Sequence, residues 1–108
     1  MHVGDLDGVG SVTARTWKVA ITIKVLDGGN TQVSGATVTG KFSSGATGTV
    51  TCTTGAAGTC FVTKTKLRSG SVTYTVTNVT RTGLSYQSSS NSDPDSDSNG
   101  TTITVARP

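Results

Sequence analysis

The stretch Trp17-Lys18-Val19-Ala20-Ile21-Thr22-Ile23-Lys24-Val25-Leu26 alternates in hydropathy along its length. Trp17, Val19, Ile21, Ile23 and Val25 share one parity, and Lys18, Ala20, Thr22 and Lys24 share the other. Successive side chains of a β-strand point to opposite faces, so this period of two marks a strand with one face buried and one in water. Extended back to Ser11, residues 11–26 read as one strand. Asp27-Gly28-Gly29-Asn30 then supplies four turn-forming residues in a row. Residues 35–42 form a second strand, with Ala36, Val38 and Phe42 inward, and residues 43–48 a loop. Val50-Thr51-Cys52 and Cys60-Phe61-Val62 read as the two arms of a hairpin closed by residues 53–59. Val72, Tyr74 and Val76 line another strand, Leu84-Ser85-Tyr86 a short one, and Ile103-Thr104-Val105 the last. A helical period occurs nowhere.

About seven short strands separated by turn signals predict an antiparallel β-sandwich of immunoglobulin or fibronectin type. Composition agrees: threonine, serine, valine and glycine dominate, and the good helix formers are scarce. At 108 residues the chain is one domain by length. Residues 1–10 are expected to be a lead-in, and residues 11–108 the sandwich. Trp17 precedes both cysteines, so the Cys…Trp…Cys order of antibody domains is absent, and the cysteines are expected to be too close in sequence to bridge two sheets.

Cys52 and Cys60 are the only two cysteines and flank a glycine-containing turn. Across a hairpin their Cα atoms come within disulfide reach. A zinc site would need two more ligands, and His2 is the one histidine. A redox pair would favour Cys-x-x-Cys. The spacing therefore predicts a structural disulfide and an oxidising location, secreted or at the cell surface.

The acidic residues are distributed unevenly. The chain has six, all aspartate, and five fall in two short clusters, Asp5-Leu6-Asp7 and Asp93-Pro94-Asp95-Ser96-Asp97. The second lies in the apolar-free stretch Asn91 to Thr101. Alternate carboxylates in an extended or looping backbone can turn toward one point, as a hard cation such as Ca2+ requires, since it takes six to eight oxygens. Asp95-x-Asp97-x-Asn99-Gly100 matches the front half of an EF-hand loop, but Ala106 stands where the bidentate glutamate belongs. The reading is a loop site in which Asp5, Asp7, Asp93, Asp95, Asp97 and Asn99 surround calcium, which requires the chain start and the last inter-strand loop to meet at one end of the sandwich. The competing reading is a solvated Ser/Asp linker.

Other functions find less support. The net charge of +3 is modest, and no basic stripe interleaved with aromatics suggests nucleic acid. No apolar run approaches the ~20 residues of a membrane-spanning helix. With no signal peptide at its start, the chain is expected to be a mature fragment or excised module. A catalytic constellation needs a base and a group to activate, and His2 is the sole histidine; no enzyme activity is expected. An isopeptide-forming sandwich would need a buried acid, and Asp27 lies in a turn. Asn78-Val79-Thr80 and Asn99-Gly100-Thr101 match the N-glycosylation pattern, which is common. Trp17, Tyr74 and Tyr86 fall on inward parities; Phe61 is out of phase with Cys60 and Val62, which reads either as an exposed apolar contact or as a register shift at the disulfide.

Met-His-Val-Gly-Asp-Leu-Asp-Gly at 1–8, Val-Ser-Gly-Ala-Thr-Val-Thr-Gly at 33–40, the Cys52–Cys60 segment, Thr-Val-Thr-Asn-Val-Thr at 75–80 and the aspartate loop together resemble the Ig-like accessory modules of secreted bacterial proteins, such as subtilisin-type proteases and other exported hydrolases. The resemblance implies a calcium-stabilised, non-catalytic β-sandwich spacer or accessory domain. Because Asp5 and Asp7 belong to the lead-in, the ion is expected to pin it; the chain is expected to be a monomer whose partners are neighbouring domains of a parent protein. The alternative is a targeting module that binds carbohydrate, cell-surface polysaccharide or protein.

Overall fold

The computed structural model describes residues 1–93 and 98–108. Seven strands make two antiparallel sheets: β1 (His2–Thr13), β2 (Thr16–Leu26), β3 (Thr37–Ser43), β4 (Thr49–Thr53), β5 (Thr59–Leu67), β6 (Ser71–Thr80) and β7 (Thr102–Ala106). One sheet has the order β1-β2-β5 and the other β4-β3-β6-β7. This is a seven-stranded β-sandwich of the immunoglobulin and fibronectin class. Its core lies between the inward parities expected of β2, β3 and β6: Trp17, Val19, Ile21, Ile23 and Val25 face Ala36, Val38, Phe42, Val72, Tyr74 and Val76, all buried.

Four local readings change. Residues 11–26 are not one strand, because Ala14-Arg15 is a two-residue hairpin turn joining β1 to β2. Ala14 takes a left-handed φ of 52° with no glycine or asparagine there to signal it. The first ten residues are not a free lead-in: they form most of β1, which pairs with β2 from His2↔Leu26 to Thr13↔Thr16. Cys52 and Cys60 do not sit on two arms of one hairpin. The chain between them crosses from one sheet to the other, so the disulfide, with a Cα–Cα distance of 5.8 Å, bridges the sandwich at the β4/β5 edge. An eight-residue separation suffices because these strands lie at adjacent edges of facing sheets. Finally, the Leu84–Tyr86 region forms only an isolated Arg81↔Leu84 bridge.

The crossing segments are pinned by side chains. Thr54, the one buried polar residue among those described, donates through Oγ1 to the Val33 carbonyl (2.6 Å) and accepts from the Ala36 N–H (2.9 Å). Asp27 accepts from the N–H groups of Thr31 and Gly29, closing the turn after β2. Those bonds, that from Thr31 first, hold its carboxyl below the ordinary value. Tyr74 packs its ring on Phe42 with centroids 5.2 Å apart. Its phenol tip lies against Gly40, where any Cβ would collide with the ring and hydroxyl. The hydroxyl is buried with no hydrogen-bond partner among the described residues, and burial pushes its pKa up to about 12.

Candidate metal centre

The site begins with a bulge. Val3 pairs with Val25 and Asp5 with Lys24, so Gly4 is an extra residue in β1. Gly4 is also the position where a Cβ would run into the Leu26 side chain. The bulge shifts the parity of β1 by one, which lets both Val3 and Leu6 enter the core while Asp5 and Asp7 turn to the opposite face. Asp5 and Asp7 are two residues apart on one side of an edge strand, which aligns their carboxylates.

The segment after β6 runs back along this edge. The Met1 ammonium donates to the Ser85 carbonyl (2.7 Å), and the Gln87 N–H to the Met1 carbonyl (2.7 Å). The Ser92 N–H donates to the Val3 carbonyl (2.9 Å), and the Val3 N–H to Asn91 Oδ1 (2.8 Å). Edge groups of β1 that a lone strand would leave unpaired are thus satisfied by residues more than eighty positions away. Asn91 is the hub, because its Nδ2 also donates to the Tyr86 hydroxyl (2.6 Å) and to Thr101 Oγ1 (2.9 Å). Gly100, at φ 83°, backs onto the main chain of Ser92, where any Cβ would lie 2.5 Å from the nitrogen. Only glycine fits that combination of φ and approach.

Asp93 is oriented by two main-chain donors. Its Oδ1 accepts from the Leu6 N–H (3.3 Å) and its Oδ2 from the Ser98 N–H (2.8 Å). The Leu6 bond holds Asp93 against the Asp5–Asp7 segment, and one oxygen from each of the three carboxylates lies within 4.8 Å of the others. All three residues are half-buried. Asp7 Oδ1 is buried with no hydrogen-bond partner among the described residues. Three carboxylates at this spacing repel one another, and the repulsion grows as water is excluded. A divalent cation would offset it. The donors are all oxygen, with no thiolate or imidazole, which suits a hard cation over zinc or copper.

Of the six residues the sequence assigned to metal, the structure brings together Asp5, Asp7 and Asp93. Asp95 and Asp97 lie outside the described residues. Asn99 turns its Oδ1 onto the N–H groups of Thr101 (2.9 Å) and Thr102 (2.7 Å), forming the turn that enters β7. Sequence reasoning gave no role to Asn91 beyond membership of a polar loop. Its part in docking β1 depends on contacts 88 residues apart, which no local pattern reveals. No family model, curated protein or solved structure matches this chain closely enough to place it in a family.

Proposed function

We propose that this domain is a non-catalytic, calcium-stabilised β-sandwich, serving as an accessory or spacer module of a secreted multidomain bacterial protein. The observation that carries the reading is the buried Asp7 Oδ1, without a hydrogen-bond partner among the described residues, in a cluster with Asp5 and Asp93. A buried carboxylate oxygen left without a donor is costly unless a charge completes it. In this reading the ion ties β1 to the loop before β7, with loop residues or main-chain carbonyls filling its shell. The Cys52–Cys60 disulfide supports an oxidising location. The accessory-module role rests on the sequence resemblance alone.

The test is a thermal melt with excess calcium and again with chelator. A ligand that binds only the folded state adds about 2.7 kcal/mol at a hundredfold excess over Kd. For a domain of this size that raises Tm by roughly 10–20 °C. Asp7→Asn keeps the shape and removes the charge, and is expected to abolish most of the calcium effect. A wild-type melt that is the same in calcium and in chelator refutes the proposal.

A further inference from the structure

Among the described residues, charge is unevenly placed along the strands. Strand register places Asp5 opposite Lys24 and Asp7 opposite Thr22, with Asp27 just beyond Leu26 and Asp93 beside Asp5 and Asp7. These four described aspartates lie toward the end where β2 finishes. Six of the nine basic residues lie toward the other end, Arg15, Lys18, Lys64, Lys66, Arg68 and Arg107, while Lys41 pairs with Thr75 in the middle of β6. Arg15 is in the β1–β2 turn, and Arg107 Nη2 donates to its carbonyl (3.3 Å). Arg68 follows Leu67, the partner of Trp17, and Lys64 Nζ donates to the Thr47 carbonyl in the loop after β3 (3.0 Å). Asp7, the described aspartate nearest this end along β1, is six residues from Thr13, or roughly 20 Å at strand rise.

Within the basic end is a pocket of about 190 Å3 lined by Thr13, Thr16, Trp17, Lys18, Thr65 and Lys66. That is room for roughly six waters at liquid density. Two exposed lysines flank it, three threonines line it, and the fully buried Trp17 contributes to its wall. A β-bulge builds one side: three steps of β5, Lys64 to Leu67, oppose two of β2, Val19 to Trp17. At the bulge Lys66 takes φ 59°, a left-handed conformation unfavourable for a residue with a Cβ. Bulges re-aim side chains, and strained backbone of this kind concentrates at ligand clamps.

We propose that this pocket and its basic surround form a binding site for an acid-bearing polysaccharide, one sulfate or carboxylate group seating between Lys18 and Lys66. Ammonium groups supply the charge complement, and the threonine hydroxyls match sugar hydroxyls. Single-stranded nucleic acid fits less well, because it is held by stacking on exposed aromatics, and the exposed aromatic Phe61 lies on β5 opposite Thr22, away from this pocket; duplex DNA is left to the test. The site is separate from the aspartate cluster and independent of whether that cluster holds calcium.

The experiment titrates the intact domain at low ionic strength with dextran sulfate and polygalacturonate, with uncharged dextran and duplex DNA as comparisons. Lysine acetylation with and without each polymer is read by mass spectrometry. The expected result is binding to at least one acidic glycan, with Lys18 and Lys66 protected and Lys24, at the other end, acetylated as before. Lys18→Thr/Lys66→Asn, in which asparagine tolerates the left-handed φ, is expected to weaken binding about tenfold or more, with an unchanged melt. Protection on the wild type stands as the test if the double variant fails to fold. No binding to either acidic glycan, equal protection of Lys24, or tighter binding to DNA overturns the proposal.

Discussion

Replacing Tyr74 by phenylalanine is expected to stabilise the domain. The Tyr74 hydroxyl is buried with no hydrogen-bond partner among the described residues, and its ring is already packed on Phe42 and over Gly40. Leaving a hydroxyl unsatisfied in the interior costs about 1–3 kcal/mol. Tyr74→Phe removes that cost and leaves a void of one oxygen, so the net gain is about 1–2 kcal/mol. Denaturant unfolding at neutral pH measures it, with the midpoint rising and the slope unchanged.

The same substitution makes a second prediction at alkaline pH. An unfolded tyrosine ionises near pH 10, whereas burial holds folded Tyr74 neutral up to about 12. Between these values the unfolded chain binds fewer protons than the native one, so wild-type stability falls as pH rises. Two pH units correspond to about 2–3 kcal/mol. Phenylalanine has no proton to lose, so the gap between variant and wild type is expected to widen by that amount from pH 10 to 12. The difference cancels the titration of every other group. Destabilisation of about 1 kcal/mol or more by Tyr74→Phe at neutral pH would refute the reasoning, because it would show that the hydroxyl has a partner.

Two further outcomes follow from the fold. Cys52→Ala/Cys60→Ala is expected to cost roughly 2.5 kcal/mol, the loop-closure value for so short a link, with a larger denaturant slope because the open unfolded chain exposes more surface; equilibrium unfolding checks both. Asn91→Ala removes an acceptor for the Val3 N–H and donors to the Tyr86 hydroxyl and Thr101 Oγ1. It is expected to cost about 2–3 kcal/mol and to weaken any calcium-dependent rise in Tm, both read by melts with and without calcium.

The inward parities of β2, β3 and β6 were legible because each strand has one buried and one wet face, which the hydropathy of Trp17–Val25 and of Val72, Tyr74 and Val76 reports directly. Where a strand turns, and which sheet it joins, were not. The Ala14-Arg15 hairpin carries no turn residue, so 11–26 read as continuous. The two cysteine strands looked like a hairpin because sequence proximity cannot separate antiparallel neighbours in one sheet from edges of facing sheets. β1 looked like a linker because Gly4, Gly8 and Gly10 interrupt its apolar parity. Gly8 is glycine for a spatial reason, since an added Cβ would lie 2.5 Å from a Val105 methyl, and at Gly10 it would crowd Pro108 and Trp17 at 3.1–3.3 Å. At the site, each Asp-x-Asp pair could be read from its spacing, but not that Asp93 meets Asp5 and Asp7. The Gly4 bulge and the Leu6 N–H that seats Asp93 are properties of the assembled edge.

The bonds that fasten the first strand to the loop before β7 join residues 84 to 89 positions apart. Contacts so distant in the chain form only after the intervening strands have organised, since their loop-closure entropy is recovered late. This seam is therefore expected to close late during folding and to open before the β2–β5 and β3–β6 ladders in the native state, which hydrogen exchange of the Val3 and Ser92 N–H groups would check. A cation held there would act on the rate and extent of that local opening, and would govern how long the outer edge of β1 stays closed to other chains.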